Sequence, residues 1–254
     1  MSSDIRNNIK LSDRLMMSVG MADKGSTVAD IGCDHAHTCI WLIKNGLFER
    51  AIAMDVRKGP LEKAKGNVSL YGLADRIELR LSDGLEALAA GEADTVIIAG
   101  MGGTLTKLIL EKDLEKAVSA KELILQPQSD IGLVRCFLRE NGFRIIEERM
   151  CIESGKFYNS MKAVPVSDNC KGNKDNEIYT ASLETKVFDE YGEFLLKTKN
   201  PVLKDLLLNL QRKNERNLRS ITASENERGR LKKLELEKEY EMLKKAFEFF
   251  DTNN

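Results

Sequence analysis

The chain has 254 residues, enough for one large domain or for one domain with a smaller one attached. Its 39 Lys and Arg residues nearly balance 40 Asp and Glu, so overall charge does not signal a nucleic-acid partner and any basic surface must be local. No run of about 18 apolar residues predicts a membrane span, and the polar N-terminus does not resemble a signal peptide. Five scattered cysteines without a CxxC pair favour reduced thiols. We expect a soluble, cytoplasmic protein.

Short β-branched runs alternate with amphipathic stretches from residue 27 to about residue 166. The runs predict strands over 27–33, 51–56, 77–83, 94–100 and 122–127. The stretches predict helices over 36–45, 59–72, 104–112 and 131–141, with one more short helix between the third and fourth strands. Segments 143–153 and 156–166 predict a hairpin. Because strands alternate with helices, we expect an α/β fold with a doubly wound parallel sheet and the hairpin antiparallel at one edge.

A polar linker without periodicity, residues 167–176, is followed by two long helical patterns over about 200–223 and 228–250. Each pattern carries an apolar stripe. The stripes consist of Leu203, Leu207, Leu210, Leu218 and Ile221 on the first, and of Leu236, Tyr240, Leu243, Phe247 and Phe250 on the second. Such stripes require a partner helix. We therefore predict one domain over residues 1–166 and, over 167–254, the linker followed by a C-terminal α-helical coiled-coil hairpin domain.

The stretch DIGCDHAHTC, residues 30–39, contains both histidines of the chain and alternates them with cysteines. Alternate positions share a face only in an extended backbone, and this stretch passes from a predicted strand into a predicted helix. The side chains of Cys33, His35, His37 and Cys39 would therefore point in different directions. Zinc sites also usually combine close ligands with a second, distant pair. We expect neither a metal nor a redox pair here.

A cofactor-binding loop explains this stretch better than a metal site does. Asp30 and Gly32 close the first strand just before a helix begins, which is where open parallel sheets bind ligands. A dinucleotide would call for more glycines, and the acidic Asp34 would repel its pyrophosphate. The same acid suits a cofactor that carries an amino group and a sulfonium cation. S-adenosylmethionine (SAM) is such a cofactor.

Acidic residues and glycines also follow the next three strands. Asp55, beside Val56, ends the second strand, where a carboxylate can accept hydrogen bonds from both hydroxyls of a ribose. Asp83 and Gly84 follow the third strand, where the acid can accept from an adenine amino group. The sequence GMGG, residues 100–103, follows the fourth strand, where the reacting edge of the cofactor would face a substrate. Turns without a ligand are the alternative, because Asp and Gly are common turn residues.

Seven short stretches together carry a resemblance to a known family. They are LSDRL (11–15), ADIGCDHA (29–36), KGP (58–60), SDGL (82–85), IIAGMGG (97–103), LILQPQ (123–128) and ESGKFY (153–158). Through them the chain resembles, over nearly its whole length, the bacterial tRNA (adenine(22)-N1)-methyltransferases. GMGG combined with DIGxDHA is specific, since most amino methyltransferases of adenine or cytosine carry an Asn/Asp-Pro-Pro-aromatic motif after the fourth strand. The chain departs from its relatives at His37, where Tyr is usual, and at Asp55, where Glu is common.

The resemblance implies a Rossmann-like class I methyltransferase domain, SAM as the cofactor, and N1 of tRNA adenine 22 as the methyl acceptor. Adenine N1 has an in-plane lone pair, so no strong base is required, and alignment would supply about 7–11 kcal/mol of the acceleration. The loop of Gly100, Met101, Gly102 and Gly103 would leave room for the flipped base and offer it backbone groups. Asp34 or His35 would hydrogen-bond the adenine amine or help to move a proton. Capping the following helix is the alternative role for this pair.

Basic residues outnumber acidic ones eight to three between residues 212 and 233. The basic residues are Arg212, Lys213, Arg216, Arg219, Arg228, Arg230, Lys232 and Lys233. We expect the first four to contact tRNA phosphates, which is a salt-sensitive interaction, and a solvated helix face is the alternative. Lys10 precedes the LSDRL stretch and Arg14 lies within it, and both would touch RNA or cap the cofactor site. Arg14 has a further alternative, a salt bridge within the fold.

Two other functions fit parts of the pattern. A SAM enzyme of the same fold could act on another RNA, a protein or a small molecule, although the basic residues near the helical hairpin argue against a small molecule. A non-catalytic nucleotide-binding or interaction protein could use the hairpin as a docking arm. We expect a tRNA methyltransferase that works as a monomer, without DNA, a membrane or a metal as partner.

Overall fold

The structure is a computed structural model that describes residues 9–166, 182–221 and 227–251. Seven strands form one sheet: β1 Gly25–Ile31, β2 Phe48–Asp55, β3 Ile77–Leu81, β4 Thr95–Ala99, β5 Glu122–Gln126, β6 Phe143–Glu153 and β7 Lys156–Pro165. Their order across the sheet is β3-β2-β1-β4-β5-β7-β6. Neighbours among β1 to β5 are parallel, whereas β7 is antiparallel to both β5 and β6. The predicted Rossmann-like sheet with an antiparallel hairpin at its edge is confirmed.

Six helices accompany the sheet in this part of the chain. They are α1 Asp13–Val19, α2 His37–Lys44, α3 Lys58–Leu70, α4 Gly103–Lys112, α5 Leu114–Ser119 and α6 Ile131–Glu140. The sequence patterns predicted neither α1 nor α5. The helix expected between β3 and β4 is wrong, because the chain makes turns there. Gly84 and Gly91 both take positive φ angles, of 61° and 73°, and Arg80 holds the turns by donating to the Ala87 carbonyl oxygen at 2.8 Å.

The core lies on both faces of the sheet. Val96, Ile97 and Ile98 of β4 are each fully buried, although successive side chains of a strand point to opposite faces. The side chains of Val96 and Ile98 join one apolar cluster, and that of Ile97 joins the other. A sheet covered on both faces leaves its carboxyl edge as the place where side chains can form an open site.

Contacts divide the chain into two compact units, residues 1–173 and 174–254. The second unit contains the remaining helices: α7 Leu183–Tyr191, α8 Glu193–Lys197, α9 Pro201–Ile221 and α10 Glu227–Asp251. The patterns predicted α9 and α10 but not the two short helices before them. The predicted linker with Cys170, and residues 222–226 between α9 and α10, lie outside the described residues.

Helices α9 and α10 pack against each other in antiparallel directions. The Lys204 ammonium near the start of α9 lies 6.0 Å from the ring of Phe250 near the end of α10. Further along, Asn214 donates from Nδ2 to the Leu236 carbonyl oxygen at 3.0 Å. Asn214 is 3% exposed and takes a seam position that the apolar stripe did not predict. Among the described residues, no helix has both the length and the apolar composition to span a membrane.

Candidate cofactor and active site

A cavity lies at the carboxyl edge of the parallel strands, where the last residues of neighbouring strands are paired side by side. Ile31 of β1 pairs with Met54 of β2 and with Ile98 of β4, and Asp55 pairs with Leu81 of β3. The cavity has a volume of about 370 Å³, which falls in the usual range of small-molecule sites, about 300–1,000 Å³. Eight predicted site residues line it: Gly32, Asp34, Asp55, Val56, Asp83, Gly84, Gly100 and Met101.

The loop between β1 and α2 is folded tightly around a glycine. Gly32 has φ +74°, and the non-glycine residues Asp34 and Ala36 also have positive φ angles, of 45° and 59°. Left-handed conformations of non-glycine residues cost about 1–3 kcal/mol each and often mark functional loops. A Cβ at Gly32 would collide with the terminal methyl group of Met101. Gly32 therefore lets the loop after β4 pack directly onto the loop after β1.

Asp34 and His35 do not cap α2, so the capping alternative is wrong. The N-cap residue is Ala36, and no side chain caps the helix. Asp34 Oδ1 lies 3.4 Å from His35 Nε2, and the Asp34 side chain is 74% exposed. The backbone carbonyl of His35 accepts a hydrogen bond from Asn67 Nδ2 at 2.9 Å, which ties this loop to α3. The Asp34 carboxylate is thus open to a ligand in the cavity.

Asp30 lies inside the fold rather than at the cavity surface. It is 4% exposed, and its Oδ2 accepts a hydrogen bond from the Cys39 thiol at 3.8 Å. Burial raises the pKa of Asp30 to about 7, the Cys39 hydrogen bond opposes this rise, and the nearby charge of Asp55 adds to it. The residues that follow it, Ile31 and Gly32, do line the cavity. Any effect of Asp30 on a ligand therefore passes through the loop.

The acids after β2 and β3 differ in exposure. Asp55 is 6% exposed, and its Oδ1 accepts the Arg57 backbone N–H at 2.9 Å. Asp83 has a 64% exposed side chain whose Oδ2 lies 3.0 Å from Lys112 Nζ. Val56 is 60% exposed beside them. Asp55 is therefore a fixed acceptor, whereas the charge of Asp83 is partly met by a lysine.

The His and Cys side chains of the DIGCDHAHTC stretch have different surroundings. The rings of His35 and His37 stack with centroids 5.6 Å apart. Burial lowers the pKa of His37, and the neighbouring charge of His35 lowers it further. Cys33 and Cys39 are buried, and burial raises the pKa of both thiols, with the charge of Asp30 adding to it. Neither thiol is poised to react, since the thiolate is the reactive form. Within the described ranges, no group of three His, Cys, Asp or Glu side chains could hold a metal ion.

The loop of residues 100–103, which we call the glycine loop, is bonded along its length to residues 126–130. The Gly100 N–H donates to the Gln126 carbonyl oxygen at 3.1 Å and to Gln126 Oε1 at 2.9 Å. The Gln128 N–H donates to the Met101 carbonyl oxygen at 2.8 Å, and the Gly103 N–H to that of Ser129 at 2.9 Å. The N–H groups of Gly100 and Gly103 are therefore engaged within the protein and do not face a base.

The last two glycines of the loop have unequal surroundings. A Cβ at Gly103 would collide with the backbone carbonyl oxygens of Ser129 and Asp130. A Cβ at Gly102 would come no nearer than 3.2 Å, to the side-chain oxygen of Ser129. Gly103 is thus required by packing at the start of α4, and the prediction that it makes room for a base does not explain it.

A larger cavity of about 470 Å³ lies elsewhere on the same unit. It is lined by Thr27, Arg50 and Arg76, which belong to the amino-terminal parts of β1 and β2 and to the turn before β3. No predicted site residue lines it. Parallel sheets bind ligands at the carboxyl ends of their strands, so the smaller cavity is the candidate site.

The predicted RNA-binding residues fall in different places. Arg212, Lys213, Arg216 and Arg219 are all exposed on α9, and Lys10 is exposed before α1. Arg14 is tied into the fold: its Nε lies 3.4 Å from Glu153 Oε2, and its guanidinium lies 5.6 Å from the ring centroid of Tyr158. The alternative of an internal salt bridge for Arg14 is confirmed.

Comparison with known proteins places the chain in a family. Residues 11–161 match the methyltransferase-domain family. Over 243 residues the chain is 34% identical to the tRNA (adenine(22)-N(1))-methyltransferase of Bacillus subtilis (strain 168), with 95% of this chain and 99% of the relative covered. The chain belongs to the tRNA (adenine(22)-N1)-methyltransferase family. The resemblance carried by the seven sequence stretches is thereby confirmed.

Solved structures of this methyltransferase family have the same fold. The crystal structure of the B. subtilis M1A22 tRNA methyltransferase TrmK matches with a TM-score of 0.80 and 33% identity, over 94% of this chain and 99% of that one. The structure of Sp1610 from Streptococcus pneumoniae in complex with S-adenosyl-L-methionine matches with a TM-score of 0.76 and 28% identity, over 93% and 99%. The likeness extends over both compact units of the chain.

Sequence reasoning assigned no role to Gln126, although its side chain accepts a hydrogen bond from Gly100, which lines the candidate site. It also overlooked Leu105, an exposed apolar residue on α4 that lines the cavity. The LILQPQ stretch was a signal for Gln126, since it carries the resemblance to the family. The contact between Gln126 and Gly100 depends on the pairing of β5 with β4, which the stretch alone does not predict.

Proposed function

We propose that this chain is a SAM-dependent methyltransferase that methylates N1 of an adenine in tRNA, at position 22. The observation that carries this proposal is the meeting of Asp34, Asp55 and Asp83 with the glycine loop in one cavity at the carboxyl edge of the sheet. Two of the relatives described above support it: the B. subtilis tRNA (adenine(22)-N(1))-methyltransferase, and Sp1610, whose structure is in complex with SAM.

The residues of the cavity fit SAM. Asp55 is a buried carboxylate at the end of β2, held by Arg57, and it can accept from two ribose hydroxyls. Val56 and Leu105 offer exposed apolar surfaces, 60% and 50% accessible, to the faces of an adenine ring. Asp34 can meet the positive charge of the cofactor. When bound, SAM supplies an electrophilic methyl group.

The protein's part in the reaction is alignment. Adenine N1 carries an in-plane lone pair, so no side chain has to remove a proton before transfer. The glycine loop, bonded to residues 126–130, presents a fixed backbone edge to the reacting base. Such alignment can supply about 7–11 kcal/mol of the barrier reduction. The adenine has to leave the stack of neighbouring tRNA bases to reach the glycine loop, which favours an exposed loop nucleotide as the target.

The methylated base is cationic, and the residues nearest to it can compensate that charge. Asp34 is exposed at the cavity, and His35 lies beside it at 3.4 Å. A carboxylate facing a developing positive charge stabilises the transition state more than the ground state. We assign Asp34 to this electrostatic role and His35 to hydrogen bonding with the adenine amine.

The basic face of α9 provides phosphate contacts for tRNA. Arg212, Arg216 and Arg219 follow one another at four- and three-residue spacing, which places them on one side of a helix, and Lys213 adjoins them. Lys10 adds a cation in the other unit. We further propose that the helical pair is a coiled-coil hairpin and that the enzyme acts as a cytoplasmic monomer.

The test is methyl transfer from radiolabelled SAM to unmodified bulk tRNA, followed by nucleoside analysis. We expect labelled 1-methyladenosine, and a primer-extension stop at position 22 that disappears when adenine 22 is replaced by guanine. Tight SAM binding without label in any RNA would contradict the proposal and favour a protein or small molecule as methyl acceptor.

A further inference from the structure

Arg14 of α1 is held in one orientation by two elements of the sheet edge. Its Nε lies 3.4 Å from Glu153 Oε2, where β6 ends, and its guanidinium lies 5.6 Å from the Tyr158 ring centroid on β7. The side chain is only 24% exposed. In this orientation, Arg14 Nη1 donates a hydrogen bond of 3.2 Å to Gln126 Oε1.

Gln126 connects Arg14 to the glycine loop. Its side chain is fully buried, and its Oε1 accepts from both Arg14 Nη1 and the Gly100 N–H, at 3.2 and 2.9 Å. An amide oxygen has two lone pairs, so both are used. Its Nε2 is buried without a partner among the described residues. Because an unpaired buried donor is unfavourable, the two bonds to Oε1 are what keep the amide in this orientation.

Gly100 passes this constraint on to the cavity. It has φ +82°, and its neighbours Ala99 and Met101 line the cavity with it. The Met101 side chain packs against Gly32 of the β1–α2 loop. A rotation of the Gly100 peptide would therefore move both loops that face the reacting groups.

We propose that Arg14 and Gln126 are positioning residues for methyl transfer, acting on Gly100, and that Arg14 does not bind a tRNA phosphate. Four of the seven stretches that carry the family resemblance meet in this contact: LSDRL, IIAGMGG, LILQPQ and ESGKFY. The inference rests on the proposed function, since it requires Gly100 to lie beside the transferred methyl group.

The experiment measures the single-turnover rate of methyl transfer at saturating SAM and tRNA, together with both dissociation constants. Arg14→Met and Gln126→Met each remove the bond at Gln126 Oε1 while conserving side-chain size. We expect each to lower the rate about 10- to 100-fold, with both affinities within threefold of the parent. The double variant should be no slower than the slower single one, because both act through the same bond.

Two further variants separate positioning from loss of structure. Arg149→Met is a matched control: Arg149 lies on β6 and also contacts the end of α1, because its Nη1 donates to the carbonyl oxygen of the C-cap residue Gly20 at 3.1 Å. Its Nε donates to Glu147 of the same strand at 2.6 Å, and the side chain does not touch Gly100. It should keep the parent rate. Gln126→Glu preserves both acceptor bonds, so its rate of methyl transfer should be at least fivefold higher than that of Gln126→Met. This comparison still tests the inference if Arg14→Met does not fold.

A phosphate contact would give the opposite pattern. Arg14→Met would then weaken tRNA binding and reduce the slope of log Kd against log salt by about one, with an unchanged saturating rate. That result, or multiplying effects in the double variant, overturns the inference. An inactive parent protein would instead contradict the proposed function, so the two failures are distinguishable.

Discussion

Asp55 and Asp83 each reach the cavity directly from the carboxyl end of a strand, β2 and β3 respectively, whereas Gly100 is held there by residues from two other segments. On the carboxylate side, neighbouring parallel strands are enough to bring the acids together. On the side of the glycine loop, Gln126 comes from β5 and Arg14 from α1. The glycine loop is thus one hydrogen-bonded structure with residues 126–130 and Arg14, whereas each acid on the carboxylate side is placed by its own strand.

Gly103→Ala is expected to have the largest effect, because the added methyl group meets the backbone oxygens of Ser129 and Asp130. Backbone cannot move aside as a side chain can, so we expect a loss of roughly 1–3 kcal/mol in the free energy of unfolding and little methyl transfer. Urea titration and a transfer assay measure both. Gly102→Ala is the matched control and should lose less than half as much stability. Equal losses would mean that the glycine loop is not bound to residues 126–130 as described.

Asp55→Asn should weaken SAM binding roughly 10- to 100-fold, since a charged acceptor of two hydroxyl hydrogen bonds is replaced by an amide. The saturating rate of methyl transfer should change less than threefold, because the glycine loop is untouched. Calorimetric titration with SAM gives the affinity. Asp75→Asn makes the same charge change beside the larger cavity, and it should leave SAM affinity as it was. The reverse ranking would move the cofactor to that cavity.

The basic face of α9, in the second unit, is the surface that we propose contacts tRNA phosphates. Replacing Arg212, Lys213 and Arg216 together by Ala should weaken tRNA binding about 10-fold near physiological salt and reduce the salt slope by about three. SAM affinity should not change. Lys245→Ala, which removes a lysine paired with Glu248 on α10, serves as the control in filter binding. An unchanged salt slope in the triple variant would remove α9 from the tRNA interface.

Asp30→Asn should have the smallest effect on methyl transfer, and its effect on stability should depend on pH. The pKa of Asp30 rises from 3.8 to about 7 on folding, so the folded protein holds an extra proton between these values. This group therefore favours folding at low pH, and its contribution is lost as the pH rises through about 7. Urea titrations at pH 5 and pH 8 should show that the parent loses roughly 1–3 kcal/mol more than the variant. Parallel pH dependences would mean that Asp30 is not buried as a neutral acid.

The carboxylate side was readable from the sequence for a physical reason. Each acid follows a β-branched run, and parallel strands bring their ends to one edge whatever lies between them. Asp30 is the exception: it too stands near the carboxyl end of its strand, as the second-last residue of β1, but its side chain points into the core toward Cys39. One residue of register separates a core-facing side chain from a cavity-facing one, and a sequence pattern does not fix that register.

The glycine-loop side was harder to predict from the sequence, because its contacts join residues far apart in the chain. Arg14 and Gln126 are 112 positions apart, and α1 was not predicted at all. Helix and strand patterns report which face of an element is apolar. They do not report which polar side chains meet across elements.

The arrangement of the site is tested most directly by a crystal structure of the protein with SAM bound. We expect the ribose hydroxyls within hydrogen-bond distance of Asp55, the adenine between Val56 and Leu105, and the methyl group facing the glycine loop beside Gly100. SAM bound instead among Arg50, Arg76 and Glu92, in the cavity at the opposite end of the strands, would contradict it.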